Sequence, residues 1–409
     1  MNRGLYTILA AQFFSALADN ALLFAAISLL AALHAPPWQT PVLQQFFVFA
    51  YIALAPFVGP FADSLPKGRV MLISNAVKLL GCAAMLFGSH PLLAYAVVGI
   101  GAAMYSPAKY GILTEYLPHD KLVMANGWME GLTVAAIILG AILGGFMLAP
   151  QFTGLAQTGN ATPALGTVID SGPKIAILFI LAIYLIAAII NLYIPKLAID
   201  HKLPKRNPVF ILQDFWHSFS LLWRDPLGQV SLAVTTLFWG AGATLRLIVL
   251  IWAAVVLKFD LERATQLTAV VAMGIALGSV LAARYVPLTS AVKVLPVGIA
   301  MGIAVMAMIL VEDWRIAVLV LALIGMMGGY FVVPMNALLQ HRGHLLMGAG
   351  HSIAVQNFNE NLSILVLLGA YALMIRADLT IDTIIFIFGL FVAVTMYMIY
   401  RKHRKDQVI

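Results

Sequence analysis

The sequence predicts an all-α integral membrane protein with twelve transmembrane helices in two six-helix halves. Hydrophobic residues make up 62% of the 409 and charged residues 10%, and the mean hydropathy is +0.96. Soluble globular proteins do not have this composition. The apolar residues form continuous runs of about twenty, the length a helix needs to cross a hydrocarbon core of about 30 Å. Strands of a β-barrel would alternate instead.

Short polar or proline-containing breaks separate the apolar runs. The first run is too long for the apolar core of a signal peptide and lacks a small-residue cleavage site, so we expect it to be retained as a helix. The predicted segments, numbered one to twelve, are 5–33, 41–62, 70–88, 92–116, 122–149, 173–194, 227–256, 265–286, 294–311, 316–341, 348–375 and 383–400.

Basic residues beside the segments predict the orientation. Sixteen lysines and arginines flank one side of the predicted membrane and five flank the other. The richer side, with both termini, is expected to be cytoplasmic. The net charge of +7 then reflects attraction to anionic lipid headgroups, since the chain has no basic-aromatic RNA-binding motif. Cys82, the only cysteine, lies in segment three and excludes an intrachain disulfide.

The longest predicted cytoplasmic connection divides the chain in two. We expect an N-terminal six-helix half at 1–194, a linker at 195–226 and a C-terminal six-helix half at 227–409. Apolar residues of the linker, among them Phe215 and Trp216, recur at helical spacing. This pattern predicts an amphipathic helix, either at the membrane interface or packed under the two halves without touching lipid.

Between segments two and three, "GPFADSLPKGRVML" resembles the Gly-x-x-x-Asp-(basic)-x-Gly-Arg signature of the major facilitator superfamily, with a longer gap after the aspartate. Gly59 would let two helices approach closely, and Asp63 would accept hydrogen bonds from a helix N-terminus across the loop. Lys67 and Arg69 would face lipid phosphates. We interpret these four residues as a conformational latch, and the alternative is a tight cytoplasmic turn.

Six stretches along the chain extend the resemblance. Together they resemble bacterial lysophospholipid transporters of this superfamily: "QFFSALADNALLF", "YIALAPFVGPFADSLPKGRVM", "GAAMYSPAKYGIL", "TLFWGAGATLRLIVL", "GGYFVVPMNALLQHRG" and "AVQNFNEN". The resemblance implies the major facilitator fold and a flippase that is no enzyme and needs no cofactor. Such a protein would move lysophosphatidylethanolamine and lysophosphatidylglycerol from the outer to the inner leaflet of the bacterial inner membrane by alternating access.

The resemblance also implies partners. These are the lysophospholipid, membrane lipids and a cytoplasmic-side acyltransferase that restores the missing chain, with the transporter as a monomer that binds no nucleic acid. Two other functions remain open: a major facilitator exporter or importer of a small polar metabolite or drug, and an intramembrane lipid enzyme, for which we find no nucleophile-base constellation. His341 and His344 have no third ligand nearby, so no metal site is expected.

Charged residues inside the segments are candidates for a substrate pathway, because an isolated charge buried in a membrane is unfavourable by several kcal/mol. Three are acidic and three basic, which predicts pairing within a polar cavity. Purely structural salt bridges are the alternative. The six are Asp19, Lys78, Lys109, Glu130, Arg246 and Glu360.

Four of these positions carry specific expectations. Asp19 and Asn20 offer a carboxylate and an amide for an ammonium headgroup, a sodium ion or a proton, and we favour the headgroup. The alternative is a fixed ion pair of Asp19 with Lys78 or Lys109. Lys109 is expected to meet the lipid phosphate as a point charge, and Arg246 to grip it bidentately. Lys78, nearer its predicted helix end, is expected to snorkel.

The stretch "QNFNEN" puts five polar residues into segment eleven, and only a hydrated face is expected to tolerate them. Gln356, Asn359 and Glu360 share one side of that helix by their spacing. Glu130 occupies the related place in segment five, and we expect all four to form gates or headgroup contacts. The alternatives are interhelical hydrogen bonds and permanent ion pairs with the basic residues.

Small and aromatic residues suggest how the halves meet. Gly140 and Gly144 in segment five, and Gly274 and Gly278 in segment eight, are spaced to let backbones approach across the two halves. A lysolipid needs a lateral opening along such a seam, because burying its tail in a polar cavity forfeits about 0.8 kcal/mol per methylene. The seam between segments two and eleven is expected to be lined by aromatics that could also simply face lipid: Phe46, Phe47, Phe49, Tyr51 and Phe57.

Overall fold

The computed structural model describes residues 3–36, 39–147, 172–197 and 207–406, and these residues form thirteen α-helices. Together they provide twelve spans that are long and apolar enough to cross a membrane, which confirms the predicted architecture. The helix Leu295–Ala307 reaches that length only with the 3-10 helices on either side, over Leu288–Leu310. The end of segment five and linker positions 198–206 lie outside the described residues. The helices are α1 Arg3–Ala32, α2 Gln39–Ser64, α3 Lys67–Leu86, α4 Pro91–Tyr116, α5 Leu122–Met147, α6 Gly172–Asn191, α7 Pro208–Arg224, α8 Pro226–Val255, α9 Leu261–Tyr285, α10 Leu295–Ala307, α11 Trp314–Met347, α12 Ala349–Arg376 and α13 Ile381–Asp406.

Aspartates fix the starts of three helices in the C-terminal half. Asp225, Asp260 and Asp313 each precede a helix and accept a hydrogen bond from a backbone N–H of its first turn. Such caps satisfy donors that have no partner inside the helix. Gly348 separates α11 from α12 with a φ of 98°, a backbone conformation that favours glycine. The amphipathic helix of the linker is α7, and a single residue lies between its end and the start of α8.

The described residues belong to two compact units. The first covers Met1–Glu115, Ala135–Gln213 and the start of α12 at Ala349–Ala354. Within it, α6 packs against both α1 and α3. Their shared core buries Leu22, Tyr184 and their neighbours completely. The unit thus holds most of the N-terminal half of the sequence together with one turn and a half of α12.

The second unit covers Tyr116–Val134, Asp214–Gly348 and Val355–Ile409. It contains the start of α5 and most of the C-terminal half of the sequence. Within it, α11 packs against α8 and α9, and α10 packs against α13. Each unit therefore takes a helix end from the other sequence half, and the halves at 1–194 and 227–409 stay a prediction.

The glycines predicted to join the halves pack inside them instead. A Cβ on Gly140 would lie 2.7 Å from the Asn20 Cβ of α1, and one on Gly144 would lie 2.8 Å from the Phe24 Cβ. Gly274 and Gly278 lie against the backbone of α11. The predicted partner helices were wrong, because glycine spacing identifies a face that admits close approach without specifying which helix occupies it.

A different glycine makes the predicted contact between α5 and α9. A Cβ on Gly127 would lie 2.5 Å from the Ala283 Cβ and 2.8 Å from the Ser279 carbonyl oxygen. These residues all belong to the second unit. The two helices therefore meet near the start of α5, roughly four to five turns before Gly140 and Gly144.

Candidate functional site

A buried polar network joins α1, α3 and α6 in the first unit. Lys78 donates hydrogen bonds to Asp19 Oδ2 at 2.7 Å and to Ser15 Oγ at 3.0 Å. The Tyr184 hydroxyl donates to Asp19 Oδ1 at 2.6 Å, and the Ser15 hydroxyl donates to Asn75 Oδ1 at 2.8 Å. We call these five residues the α1–α3–α6 network. They hold a carboxylate and an ammonium together inside the helical bundle.

The network lies deep in the predicted membrane. Asp19 is sixteen residues after the start of α1, which corresponds to roughly 24 Å along the helix axis. The Lys78 side chain is 1% exposed and its ammonium lies 4.7 Å from the ring centroid of Tyr105. The expectation that Lys78 snorkels was therefore wrong, because Asp19 and Ser15 hold its ammonium in the interior.

Asp19 is the accessible member of its ion pair. Its side chain is 20% exposed, whereas that of Lys78 is nearly inaccessible. A carboxylate has about four lone-pair sites, and each Asp19 oxygen accepts one hydrogen bond within the network. The ion pair with Lys78 is the alternative that the sequence had left open, and the exposed edge of Asp19 still has acceptor capacity.

Three other predicted headgroup ligands have the following surroundings. The Asn20 amide donates to the Ala16 carbonyl of its own helix at 2.8 Å. Lys109 is buried on α4, with its ammonium 4.2 Å from the ring centroid of Tyr110. Arg246 belongs to α8 in the second unit and is exposed.

The polar stretch of α12 is buried rather than hydrated. Gln356, Asn359 and Glu360 are 4%, 7% and 7% exposed. The Gln356 amide donates to Asn336 Oδ1 of α11 at 2.9 Å and to Glu360 Oε1 at 2.7 Å, and the Asn359 amide donates to the Val355 carbonyl. The expectation of a hydrated face was wrong, because these side chains are buried and make hydrogen bonds within α12 and to α11, although Gln356 Oε1 has no partner among the described residues.

A reciprocal amide pair connects the start of α5 to α11. Asn126 Nδ2 donates to Gln340 Oε1 at 2.8 Å, and Gln340 Nε2 donates back to Asn126 Oδ1 at 2.7 Å. Both residues are fully or almost fully buried in the second unit, and Glu130 is 5% exposed one turn further along α5. Sequence reasoning missed Gln340 and Asn336, although their i, i+4 spacing in an apolar segment was a usable signal.

The predicted latch residue Asp63 lies at the N-terminus of α12. Its carboxylate accepts hydrogen bonds from the backbone N–H of Gly350 at 2.8 Å and of His351 at 3.0 Å. His351 Nδ1 lies 2.6 Å from the same carboxylate. A Cβ on Gly59 would lie 3.0 Å from the His351 Cα, so α2 and α12 touch closely here. This geometry agrees with the acceptor role expected for Asp63, but the helix N-terminus is that of α12 rather than one across the loop. The latch function stays a prediction.

The two basic residues of the latch differ in their surroundings. Lys67 was expected to face lipid phosphates, but its side chain is 3% exposed. Its ammonium lies 2.6 Å from Asp63 Oδ1 and 3.1 Å from Glu115 Oε1. That expectation was wrong, because the two carboxylates draw the ammonium inward and compensate its burial. Arg69 is exposed, as a residue in contact with headgroups would be.

The second unit contains an ion pair that sequence reasoning did not identify. Arg342 of α11 binds Asp225 through two nitrogens, and its Nε lies 3.0 Å from Asp225 Oδ2. Burial alone would raise the pKa of the Asp225 carboxyl. Hydrogen bonds from Arg342 and from the Gly228 N–H outweigh burial and hold that pKa below its usual value. The aspartate that caps α8 is thereby fixed to α11.

Within the described ranges, no group of three His, Cys, Asp or Glu side chains is arranged to hold a metal ion. The rings of His119 and His341 approach each other, with centroids 5.7 Å apart.

Two of the aromatics from segment two pack against α4 in the first unit. The ring of Phe47 lies 5.0 Å from that of Tyr95, and the Tyr51 hydroxyl donates to the Ala102 carbonyl. Phe49 and Phe57 are exposed.

Comparison with known sequences assigns the family. The sequence profile of the Major Facilitator Superfamily matches residues 8–368. The chain belongs to the major facilitator superfamily. It is 45% identical over 92% of its length to a Yersinia enterocolitica protein named lysophospholipid transporter LplT, and the match covers 88% of that relative. A Yersinia pestis protein of the same name is 44% identical over the same shares.

Solved structures of the superfamily share this fold. The Escherichia coli fucose:proton symporter FucP superposes with a TM-score of 0.75 at 12% identity, covering 98% of this chain and 99% of that one. A bacterial homologue of the iron transporter ferroportin gives 0.73 at 16% identity, covering 99% of this chain and all of that one. At such identities the likeness concerns the arrangement of the helices alone.

Proposed function

We propose that this chain is a lysophospholipid flippase. It moves lysophosphatidylethanolamine and lysophosphatidylglycerol from the outer to the inner leaflet, where an acyltransferase restores the missing chain. The observation that carries the proposal is the identity of 44–45% over 92% of the chain with relatives named lysophospholipid transporters. The match extends over the segments that contain the intramembrane charges. In transporters, such charges commonly line the substrate pathway.

The α1–α3–α6 network supports a headgroup site in the first unit. In the proposed complex the exposed edge of Asp19 accepts hydrogen bonds from the ethanolamine ammonium. Asp19 sits near the depth at which major facilitator transporters bind their substrates. Lys78 and Tyr184 position the carboxylate from its other sides, at 2.7 Å and 2.6 Å. Asn20 lies beside it on α1.

The lipid phosphate requires positive charge, and two predicted residues supply it. Lys109 offers an ammonium and Arg246 a guanidinium that suits two phosphate oxygens at once. The glycerol headgroup has no ammonium, so lysophosphatidylglycerol depends on these two residues more than on Asp19. The buried polar residues of α5 and α12 act as gates in this proposal: Glu130, Gln356, Asn359 and Glu360.

The acyl tail stays in contact with lipid during transport. Leaving the bilayer would forfeit about 0.8 kcal/mol for each methylene of the tail, so the lipid reaches its site sideways. The lateral openings lie between α2 and α12 and between α5 and α9. Asp63 holds α2 to the N-terminus of α12 through the two N–H groups of Gly350 and His351. This contact must break when the opening between α2 and α12 widens on the side where Asp63 lies. The Asp63 cluster therefore acts as the latch.

The transporter is proposed to be a monomer in the bacterial inner membrane with both termini in the cytoplasm. The excess of basic residues on one side supports this orientation. Reporter fusions after Arg404 and within the 195–226 linker test it, and both are expected to report cytoplasm. A periplasmic signal from either fusion would contradict the topology.

Binding by the purified protein tests the choice of substrate. Native mass spectrometry of the protein titrated with lysophosphatidylethanolamine or lysophosphatidylglycerol should show saturable complexes of one lipid per chain. Diacyl phosphatidylethanolamine at equal concentration is the control, and it should bind less. Equal binding of both lipids would favour a transporter of a small polar metabolite or drug, in which the lipid is only a solvating molecule.

A further inference from the structure

The surface of α7 has three sectors. Phe215, Ser218 and Leu222 form a buried sector that packs against the protein. Next to it lies an apolar sector whose side chains remain exposed: Val209, Leu212 and Trp216 are 60%, 42% and 53% exposed. The sector beyond that is exposed and polar, and it contains Gln213, His217, Ser220 and Arg224. A helix with protein on one side and water on the other has a buried sector and a polar sector, and it does not need the exposed apolar sector that α7 has between them.

Aromatic contacts fix the level of α7 relative to α12. The ring centroids of Phe215, Trp216 and Phe219 lie 5.5 Å, 6.1 Å and 6.2 Å from that of Phe358. Phe358 lies eighteen residues before the end of α12 at Arg376, a distance of roughly 27 Å along the helix. Since this is about the thickness of the hydrocarbon core, α7 packs at the boundary of the membrane.

The chain connection places the other end of α7 at the same boundary. Only Asp225 separates the last residue of α7 from Pro226, where the membrane-spanning helix α8 begins. Both the centre and the C-terminal end of α7 are therefore held at one level. A helix held at that level lies along the membrane surface, and the apolar sector has lipid as its available neighbour.

We propose that α7 is embedded in the cytoplasmic leaflet, with the apolar sector among the lipid acyl chains and the polar sector in water. Trp216 then has the position that tryptophan favours at membrane interfaces. Arg224 on the polar sector complements anionic headgroups. The choice of leaflet follows the proposed topology, and the lipid contact itself is independent of the substrate.

Spin-label accessibility in vesicles tests this placement. The variants are Val209→Cys and Leu212→Cys on the apolar sector, and Gln213→Cys and His217→Cys on the polar sector, each in a Cys82→Ala background and nitroxide-labelled. They are reconstituted into phosphatidylethanolamine and phosphatidylglycerol vesicles. Collision rates with oxygen, which concentrates in lipid, are compared with those of a water-soluble nickel chelate.

The expected result is an oxygen-to-nickel collision ratio several-fold higher at positions 209 and 212 than at 213 and 217. Leu212 and Gln213 are neighbours in the chain and form a matched pair, and Val209 repeats the measurement if the Leu212 variant does not fold. Nickel collisions as frequent at 209 and 212 as at 213 and 217 would show that the apolar sector faces water. Protection of 209 and 212 from both reagents would show that protein covers it. Either result would overturn the proposal.

Discussion

Replacing Asp19 by asparagine removes one charge of a buried pair and leaves the other. In Asp19→Asn the Lys78 ammonium, 1% exposed, keeps the Ser15 hydroxyl and the Tyr105 ring but loses its carboxylate at 2.7 Å. Removing one partner of a buried ion pair destabilises a protein by about 3–5 kcal/mol. The substitution also weakens the hydrogen bond that Tyr184 donates, because a neutral amide oxygen replaces the charged one: hydrogen bonds to charged groups contribute about 1.5–3 kcal/mol and neutral ones about 0.5–1.5 kcal/mol.

A second substitution distinguishes the effect of losing the whole ion pair from the effect of losing one of its charges. Lys78→Met removes the ammonium but fills a similar volume, so the double variant Asp19→Asn/Lys78→Met carries no buried charge. Replacing a buried ion pair by uncharged groups is often nearly neutral. We therefore expect each single variant to be strongly destabilised and the double variant to be about as stable as the parent protein.

The native thiol reports these differences directly. Cys82 is fully buried, four residues after Lys78 on α3, and becomes reactive only when the bundle opens. Thermal melting followed with a thiol-reactive dye thus measures each variant without further labelling. The exposed Asp378 provides the matched control, and Asp378→Asn should melt like the parent. If the double variant lost the sum of the two single losses, the ion pair would not couple the helices and the reasoning would fail.

The double variant also tests headgroup recognition without a destabilised fold. If Asp19 binds the ethanolamine ammonium, transport of lysophosphatidylethanolamine should fall more than that of lysophosphatidylglycerol. Equal losses for both lipids would indicate that Asp19 only positions helices. The single variant Asp19→Asn cannot separate these readings, because it combines a lost headgroup contact with an unpaired lysine.

Three further predictions follow from the helix contacts. Asp63→Asn should reduce lysolipid uptake per folded protein and should also lower the melting temperature, because the buried Lys67 ammonium loses its nearer carboxylate. Unchanged uptake would indicate an ordinary turn rather than a latch. Gly278→Ala should destabilise the protein by about 1–3 kcal/mol, because the new Cβ overlaps the Met326 carbonyl. The control Gly145→Ala, whose Cβ meets no atom within 4 Å, should melt like the parent. Cysteine cross-links on the outer-leaflet side from α2 to α12 and from α5 to α9, in a Cys82→Ala background, should stop uptake. Full uptake with both seams locked would rule out sideways access.

Hydropathy predicted the helices well, because a chain in lipid must satisfy every backbone polar group internally and so must be helical for about twenty residues. The amphipathic period of the linker predicted α7 by the same kind of argument. Asp63 was also identified, because its stretch of sequence resembles the superfamily signature, although the helix whose N-terminus it contacts, α12, is distant in the sequence.

The contacts that side chains make with other helices were harder to predict than the positions of the helices in the sequence. Asp19 was open to pairing with Lys78 or Lys109, and helical periodicity does not say which neighbour a face meets. Lys67 was assigned to lipid phosphates because Glu115, its second carboxylate, is distant in the sequence. Tyr184 was missed for the same reason, since nothing near position 184 in the sequence indicates that α6 faces Asp19.

Leaflet-resolved uptake by the purified protein tests the central claim most directly. Proteoliposomes receive labelled lysophosphatidylethanolamine or lysophosphatidylglycerol from outside, and albumin then extracts the lipid that remains in the outer leaflet. The account predicts that protein-containing vesicles protect both lipids from extraction faster than protein-free vesicles do. Repeating the experiment with and without ion gradients identifies any coupled ion. Protection no faster than in protein-free vesicles, under every gradient, would contradict the proposal that this chain transports lysophospholipids.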